Sequence, residues 1–211
     1  LQGGAGTADY ASYAAAAAGV VASLDGSLAA TGEAAGDLYL GIECLLGSRL
    51  ADRLRGDGLR NTLNGNAGND SLEGQGGNDA LLGGDGDDVL IGGAGQDRLS
   101  GGAGAAGGAD DFVFLALADS GPASIQRDTI LDFVAGSDDI VLTAIDANAL
   151  LAGNQAFVLD ADGSFSTGEI RQTTGPGGLR VEMNTEADAA AEMAILVSNL
   201  AAPLLAGDFA L

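Results

Sequence analysis

Between residues 45 and 99 a leucine returns every nine positions: Leu45, Leu54, Leu63, Leu72, Leu81, Leu90 and Leu99. Its neighbours vary freely, from Arg53 and Arg55 to Ser71 and Glu73 to Val89 and Ile91. A constant apolar position between variable ones predicts a three-residue strand, with leucine pointing inward and its neighbours outward. Two other columns run in phase. A glycine opens each unit, at Gly47, Gly56, Gly65, Gly74, Gly83, Gly92 and Gly101. The sixth place holds Asp52, Asn61, Asp70, Asp79, Asp88 and Asp97. A fixed period of this kind is the mark of a solenoid.

Glycines at the first, second and fourth places permit turns with positive φ and close backbone approach. Two nine-residue units then make one coil, so residues 18 apart stack at about the ordinary strand spacing of 4.8 Å. That splits the acids into two ladders, Asp52–Asp70–Asp88 on one edge and Asn61–Asp79–Asp97 on the other. Carboxylates roughly 5 Å apart repel by about 1 kcal/mol in water and about 3 kcal/mol at an effective dielectric near 20. Two leucines per coil do not offset this comfortably, whereas a hard cation between turns converts repulsion into binding. Aspartates with exposed turn carbonyls suit calcium, which accepts six to eight oxygens in flexible geometry; magnesium wants a tighter octahedron. Zinc wants Cys or His, which the segment lacks.

Composition points the same way. The chain of 211 residues has a formal net charge of −22, with 23 Asp, 7 Glu, 8 Arg and neither Lys nor His. Such charge opposes compaction, yet 46% of residues are hydrophobic, so disorder fits poorly. A bound metal fits better. The absence of His excludes H-E-x-x-H zinc sites and Ser-His-Asp or Cys-His catalysis; the absence of Lys excludes a P-loop and a Schiff base. Eight scattered arginines on an acidic chain predict no nucleic-acid face, and no apolar run is long enough for a membrane span. The start, Leu1-Gln2-Gly3-Gly4, lacks the basic and apolar regions of a signal peptide.

The repeats "GGDGDDVLI" (83–91) and "GGAGQDRLS" (92–100) match the RTX nonapeptide G-G-x-G-x-D-x-U-x at every fixed position. "GNAGNDSLE" (65–73) and "GQGGNDALL" (74–82) depart only at the second glycine. The chain thus resembles the RTX family. The resemblance implies an all-β fold: a right-handed parallel β-roll holding several calcium ions, followed by a β-rich C-terminal cap. It implies ligands at Asp70, Asp79, Asp88 and Asp97, with turn carbonyls from residues such as Gly68, Gly77, Gly86 and Gly95. Earlier units carry Leu50 and Leu59 in place of the fourth glycine, so they are expected to be apolar lead-in turns. Asp52 and Asn61 accordingly rank below the others. Asp110, after four extra residues, is expected to close the last turn.

The flanks complete the division: a degenerate lead-in region at 1–46, the roll at 47–108 and a β-rich region at 109–211. "GGAGTADYASY" (3–13) looks like the tail of another nonapeptide, and the natural chain is expected to extend upstream. "AAAAAGVVASLDGSLAATG" (14–32) is expected to form two short strands around its DG turn rather than an alanine helix. Cys44 is placed on the outward side of its strand, a thiol open to oxidation or pairing between chains unless packed. After residue 110, "DDFVFLAL", "DTILDF", "DDIVLTAIDA", "AFVLD", "EIRQT", "LRVEM" and "MAILV" read as strands, with a turn at "GPGG" (175–178). "DTILDFVAGSDDIVLTAIDA" (128–147) and "GEIR" (168–171) are similar to the C-terminal region of serralysin-type proteins. The terminal "DFAL" (208–211) resembles the export signal read by type I secretion machinery. Three motifs fail on context: "GAGAAG" (102–107) opens no helix, "DADGSFSTGE" (160–169) has its glycine misplaced for an EF-hand, and Asp138 and Asp139 point to opposite faces, which suits a turn or calcium-side role and not a general acid and base.

The leading reading is a non-catalytic, calcium-binding RTX module of a type I-secreted, extracellular protein of a Gram-negative bacterium, folding outside the cell. Two alternatives stand beside it. One is the C-terminal part of a secreted metalloprotease, lipase or alginate epimerase, associating with upstream domains. The other is a spacer in a repeat adhesin or surface-layer protein.

Overall fold

The computed structural model describes residues 1–4, 6, 8–102, 107–148, 154–161, 163–186, 190–198 and 200–211. Most of "GAGAAG" (102–107) and the middle of 184–192 lie outside the described residues. Strands dominate, joined by loops and three short 3-10 turns, with no α-helix among the described residues. In chain order the roll contains β1 (Tyr10–Ser12), β2 (Val21–Ser23), β3 (Cys44–Leu46), β4 (Arg53–Arg55), β5 (Thr62–Ala67), β6 (Ser71–Gly77), β7 (Ala80–Asp85), β8 (Val89–Gly95), β9 (Arg98–Ser100), β10 (Asp111–Val113), β11 (Asp128–Ile130) and β12 (Asp139–Val141). Then come β13 (Val158–Leu159), β14 (Glu169–Gly175), β15 (Gly178–Asn184), β16 (Met193–Ser198) and β17 (Phe209–Ala210).

Alternate strands fall into two parallel sheets, which makes the molecule a β-roll. One runs β1-β3-β5-β7-β9-β11 and continues through β16, β15, β14 and β13. The other runs β2-β4-β6-β8-β10-β12 and ends on β17. Register follows the double repeat, since Leu54 pairs with Leu72 and Leu63 with Leu81, each 18 residues on. The pairings Leu45–Leu63 and Leu90–Phe112 carry the ladders across residues 46 and 108.

The leucine column is the core. Leu45, Leu54, Leu63, Leu72, Leu81, Leu90 and Leu99 are all at most 1% exposed. Full burial of each is worth about 2 kcal/mol. The column continues as Phe112, Ile140 and Phe209 in one sheet and as Ile130 and Val197 in the other. All six phenylalanines follow residue 110, and all are buried. The nonapeptide coils therefore fill their interior with leucine, and the coils after residue 110 with aromatic rings.

Three elements differ from the sequence expectation, and a fourth, Cys44, follows its packed alternative. The strands β5 to β8 have six or seven residues instead of three. Turn backbone pairs as well, through Asn66–Gly84 and Gln75–Gly93. Residues 14–32 supply one strand, β2, with a single antiparallel bridge from Val21 to Thr31 in place of a second strand. Cys44 is only 2% exposed, so its thiol is packed away from solvent. The segment 208–211 is docked: Asp208 accepts the Gly136 N–H at 2.6 Å, and Phe209, 6% exposed, pairs with Ile140.

Because Phe209 ends the core column, Phe209→Ala should destabilise the folded protein by about 3 kcal/mol, the scale of emptying a buried aromatic site. Urea unfolding followed by circular dichroism reads this directly. A midpoint equal to that of the parent chain would mean that the last strand is peripheral to the fold.

Candidate metal centre

Each sixth-place aspartate points back along its turn and spends one oxygen on the adjacent coil. The Asp52 N–H donates to Asp70 Oδ1 at 2.7 Å, and the Asp70 N–H to Asp88 Oδ1 at 2.8 Å. On the other edge the Asn61 N–H donates to Asp79 Oδ1 at 2.7 Å, and the Asp79 N–H to Asp97 Oδ1 at 2.8 Å. Both rows run past the glycine repeats. The Asp88 N–H reaches Asp110 Oδ1 at 3.0 Å, the Asp97 N–H reaches Asp128 Oδ1 at 2.7 Å, and the Asp110 N–H reaches Asp138 Oδ1 at 3.2 Å. Every member is buried.

The second oxygen decides what each position can do. Oδ2 of Asp70, Asp79, Asp88, Asp97 and Asp128 is buried and has no hydrogen-bond partner. A buried acceptor left unmade costs about 1–3 kcal/mol, and more when charged. At the first coils the vacancy is filled from within. Asp52 Oδ2 accepts the Ser48 N–H, while its Oδ1 accepts from Ser48 Oγ at 2.9 Å and from the Val20 N–H at 2.7 Å. Asn61 has a single side-chain oxygen, which accepts the Asp57 N–H at 2.8 Å, while its Nδ2 is buried without a partner. At the far end Asp138 Oδ2 accepts the Val134 N–H at 2.8 Å. Leu50 and Leu59, expected to make apolar turns, are instead exposed.

Glycine builds the cradle around the open oxygens. A Cβ on Gly83 would lie 2.1 Å from Asp88 Oδ2 and 2.6 Å from the Gly101 carbonyl oxygen, so only glycine leaves that space. The fourth-place residues Gly68, Gly77, Gly86 and Gly95 all have positive φ, from 113° to 149°. They form two stacked columns, Gly68 under Gly86 and Gly77 under Gly95. Among the described residues no three acidic, His or Cys side chains converge on one point. A metal ion here would need backbone carbonyls to complete its shell.

Electrostatics follows from burial. Loss of water raises the carboxyl pKa of Asp70 and Asp79 to about 7, against the opposing backbone N–H bonds and with help from Asp88 and Asp97 respectively. The same cause lifts Asp88 and Asp97 to about 6 and Asp110 to about 7. Asp128, the most deeply placed, rises to about 9, its stacked neighbour Asp97 adding to the effect. Sequence reasoning missed Asp128 as a ladder member, because it follows no glycine turn, and gave Asp138 only a turn or calcium-side role, although Gly136, with φ of 81°, stands two residues before it as in the repeats. The signal that could have found them is the dipeptide spacing D-x-U, in Asp128-Thr129-Ile130 and Asp138-Asp139-Ile140, which copies Asp88-Val89-Leu90.

The family model described as peptidase M10 serralysin C terminal matches residues 59–210. Among solved structures, the chain is similar to the AlgE6R3 subunit from the Azotobacter vinelandii mannuronan C5-epimerase, at 30% identity over 78% of this chain and 80% of that one, with a TM-score of 0.35. It is also similar to the AlgE6R2 subunit of the same enzyme, at 24% identity over 77% and 89%, with a TM-score of 0.40. No curated protein matches the chain.

The raised pKa values set a pH dependence for metal-free protein. A folded-state pKa above the unfolded value of about 3.9 stabilises the fold fully below that pH, and the contribution is lost as pH rises through the folded pKa. In excess EDTA, β-structure should therefore be more resistant to urea near pH 4.5 than near pH 8.5, with losses centred on the 6 to 7 range of Asp70, Asp79, Asp88, Asp97 and Asp110. Equal resistance at both pH values would show that these carboxyls are not buried without a cation.

Proposed function

The chain belongs to the serralysin C-terminal family, and from that premise we propose that it is a calcium-folded RTX module of a secreted protein. The module is the C-terminal, non-catalytic part of that family. The observation that carries the calcium reading is the line of buried, unpartnered Oδ2 atoms on Asp70, Asp79, Asp88, Asp97 and Asp128. Oxygen-only donors on glycine turns fit calcium, whose shell is flexible and rich in carbonyl and carboxylate oxygen.

Asp70, Asp79, Asp88, Asp97 and Asp128 would hold the ions, with Asp110 in the same row and carbonyls from the turns containing Gly68, Gly77, Gly86 and Gly95. Bound calcium supplies the positive charge that lets these carboxyls ionise while buried. The chain's own contribution is to hold one oxygen of each aspartate on the next backbone N–H, so that the other keeps a fixed position. Asp52 and Asn61 take no part in this reading. Their side-chain oxygens already accept from Ser48, Val20 and Asp57, so they work as metal-free ends of the rows.

A chain that needs calcium to ionise its interior stays poorly folded where calcium is scarce and folds where it is abundant. That logic, together with the family, supports type I export from a Gram-negative cell and folding outside it. The terminal 208–211 segment would be read by the export machinery before it docks as β17. Among the described residues no helix is long and apolar enough to cross a membrane. The family match favours one further reading, in which this module is the C-terminal part of a larger secreted enzyme and associates with its upstream domains. The division into lead-in (1–46), roll (47–108) and C-terminal region (109–211) then describes stages of one continuous ladder.

Calcium at about millimolar concentration, the range of extracellular modules, should produce β-structure by circular dichroism that EDTA removes at neutral pH. An identical spectrum in EDTA would refute the proposal. The two classes of aspartate should also separate. Asp88→Ala should weaken apparent calcium affinity by on the order of tenfold, about 1.4 kcal/mol. Asp52→Ala should cost about 1–3 kcal/mol of stability through lost hydrogen bonds and leave affinity nearly unchanged. Equal losses of affinity in isothermal titration would contradict the assignment.

A further inference from the structure

Three of the eight arginines, Arg127, Arg171 and Arg180, gather in space. Ile130, Val197, Leu179 and Val181 are buried, so the alternate residues Thr129, Leu196 and Arg180 lie on the outer face of the larger sheet. They stand side by side there, with Thr129 paired to Leu196, Leu196 to Arg180 and Arg180 to Thr173. Arg127, just before β11, closes one side of a cavity of about 260 Å³, lined also by Arg180, Thr173, Thr174, Pro176 and Leu196.

Charge in this cavity is unbalanced. Among the described residues Glu182 is the one carboxylate bonded to this cluster. Its Oε2 accepts from Arg171 Nε and Nη2 at 3.0 and 2.8 Å, and its Oε1 pairs with Arg180 Nη2. Arg127 is left with a neutral partner, the Pro122 carbonyl at 2.6 Å, which Arg180 Nη2 also approaches at 3.5 Å. The Nε atoms of both Arg127 and Arg180 are buried without any acceptor. Burial, and then the charge of Arg180, hold the Arg127 guanidinium below its usual pKa. On a chain of net charge −22, two cations share one cavity and each has a donor unspent.

We propose that Arg127 and Arg180 form a binding site for a small organic carboxylate, its charge between the two guanidinium groups and its apolar part against Leu196 and Pro176. A guanidinium edge presents two parallel N–H donors that match the two oxygens of a carboxylate. The buried Nε donors supply what such an edge needs once the side chains turn toward an anion. A monoanion suits the site better than phosphate, because Glu182 borders it and the surrounding chain is strongly acidic. Apolar walls at Leu196 and Pro176 suit a ligand with a hydrocarbon body. The site lies on the outer sheet face and does not depend on the aspartate rows.

The test uses the full chain in calcium-containing buffer, titrated with butyrate and, separately, with inorganic phosphate at matched ionic strength. Nitrogen–proton NMR of the arginine side chains should show saturable shifts at the Nε–H groups of Arg127 and Arg180 with butyrate. Phosphate should bind at least tenfold more weakly. Arg127→Gln and Arg180→Gln should each weaken butyrate binding tenfold or more, and Arg53→Gln, on the other sheet, should leave it unchanged. Should a glutamine variant lose its β-spectrum, Arg127→Lys and Arg180→Lys retain the charge without the planar fork and should show the same loss. Absence of saturable shifts, equal response to phosphate, or unchanged affinity in the folded variants would each overturn the proposal.

Discussion

The structure depends on one shared bond: an aspartate oxygen inside each turn accepts the backbone N–H of the matching residue one coil away. That bond ties the carboxylate rows to the strand ladders, so neither can shift without the other. It fixes one oxygen and leaves the second buried beside the glycine that opens the turn. Gly83 has no tolerance for a side chain because Asp88 Oδ2 fills the space where its Cβ would stand. The leucine column closes the opposite side but adds only two large side chains per coil. Packing alone therefore gives a thin core beside a line of desolvated acids, which the cation of the proposed function would reconcile.

How the rows end is as informative as how they repeat. One row closes on carboxylates whose oxygens are all taken, whereas the other ends on Asp128, whose Oδ2 has no hydrogen-bond partner. At the start, Ser48 and Asp57 lend backbone N–H groups to Asp52 and Asn61. At the finish the Val134 N–H does the same for Asp138. Beyond that point the core changes character, from leucine on glycine to Phe112, Phe114, Phe133 and Phe209, with Phe112 and Phe133 ring centroids 5.9 Å apart. The antiparallel β14-β15-β16 unit then extends one sheet with conventional packing, including Val181, Met183 and Ile195.

The parts written as a period were legible in the sequence. Leu54 to Leu99 and Asp70 to Asp97 give the coil length, the pairing at 18 and both acid rows, because one backbone conformation is repeated and each column answers one steric need. What escaped is whatever keeps the geometry without the period. Asp128 takes a ladder place with no glycine turn before it, and Asp138 keeps only Gly136, two residues earlier, from the repeat. Asn66 and Gln75 adopt φ of 84° and 82° where the repeat has glycine, which shows the backbone being imposed by its neighbours. The strand lengths were underestimated for a related reason: glycine marks a turn in sequence, yet here the turn backbone also pairs. Phe209 read as a free tail because a two-residue strand has no pattern of its own. The convergence of Arg127 and Arg180 depends on β15 and β16 folding back antiparallel, which no local spacing encodes.

The direction of the inter-coil bonds has a mechanical consequence. In both sheets the hydrogen bonds and the aspartate bonds join successive coils, so they lie along the direction in which coils are stacked. A pull applied along that direction opens them one coil at a time instead of shearing a whole sheet at once, because each coil touches little beyond its neighbours. Such a module yields in small successive steps, each releasing about one double repeat of chain, and recovers by rewinding onto the next intact turn.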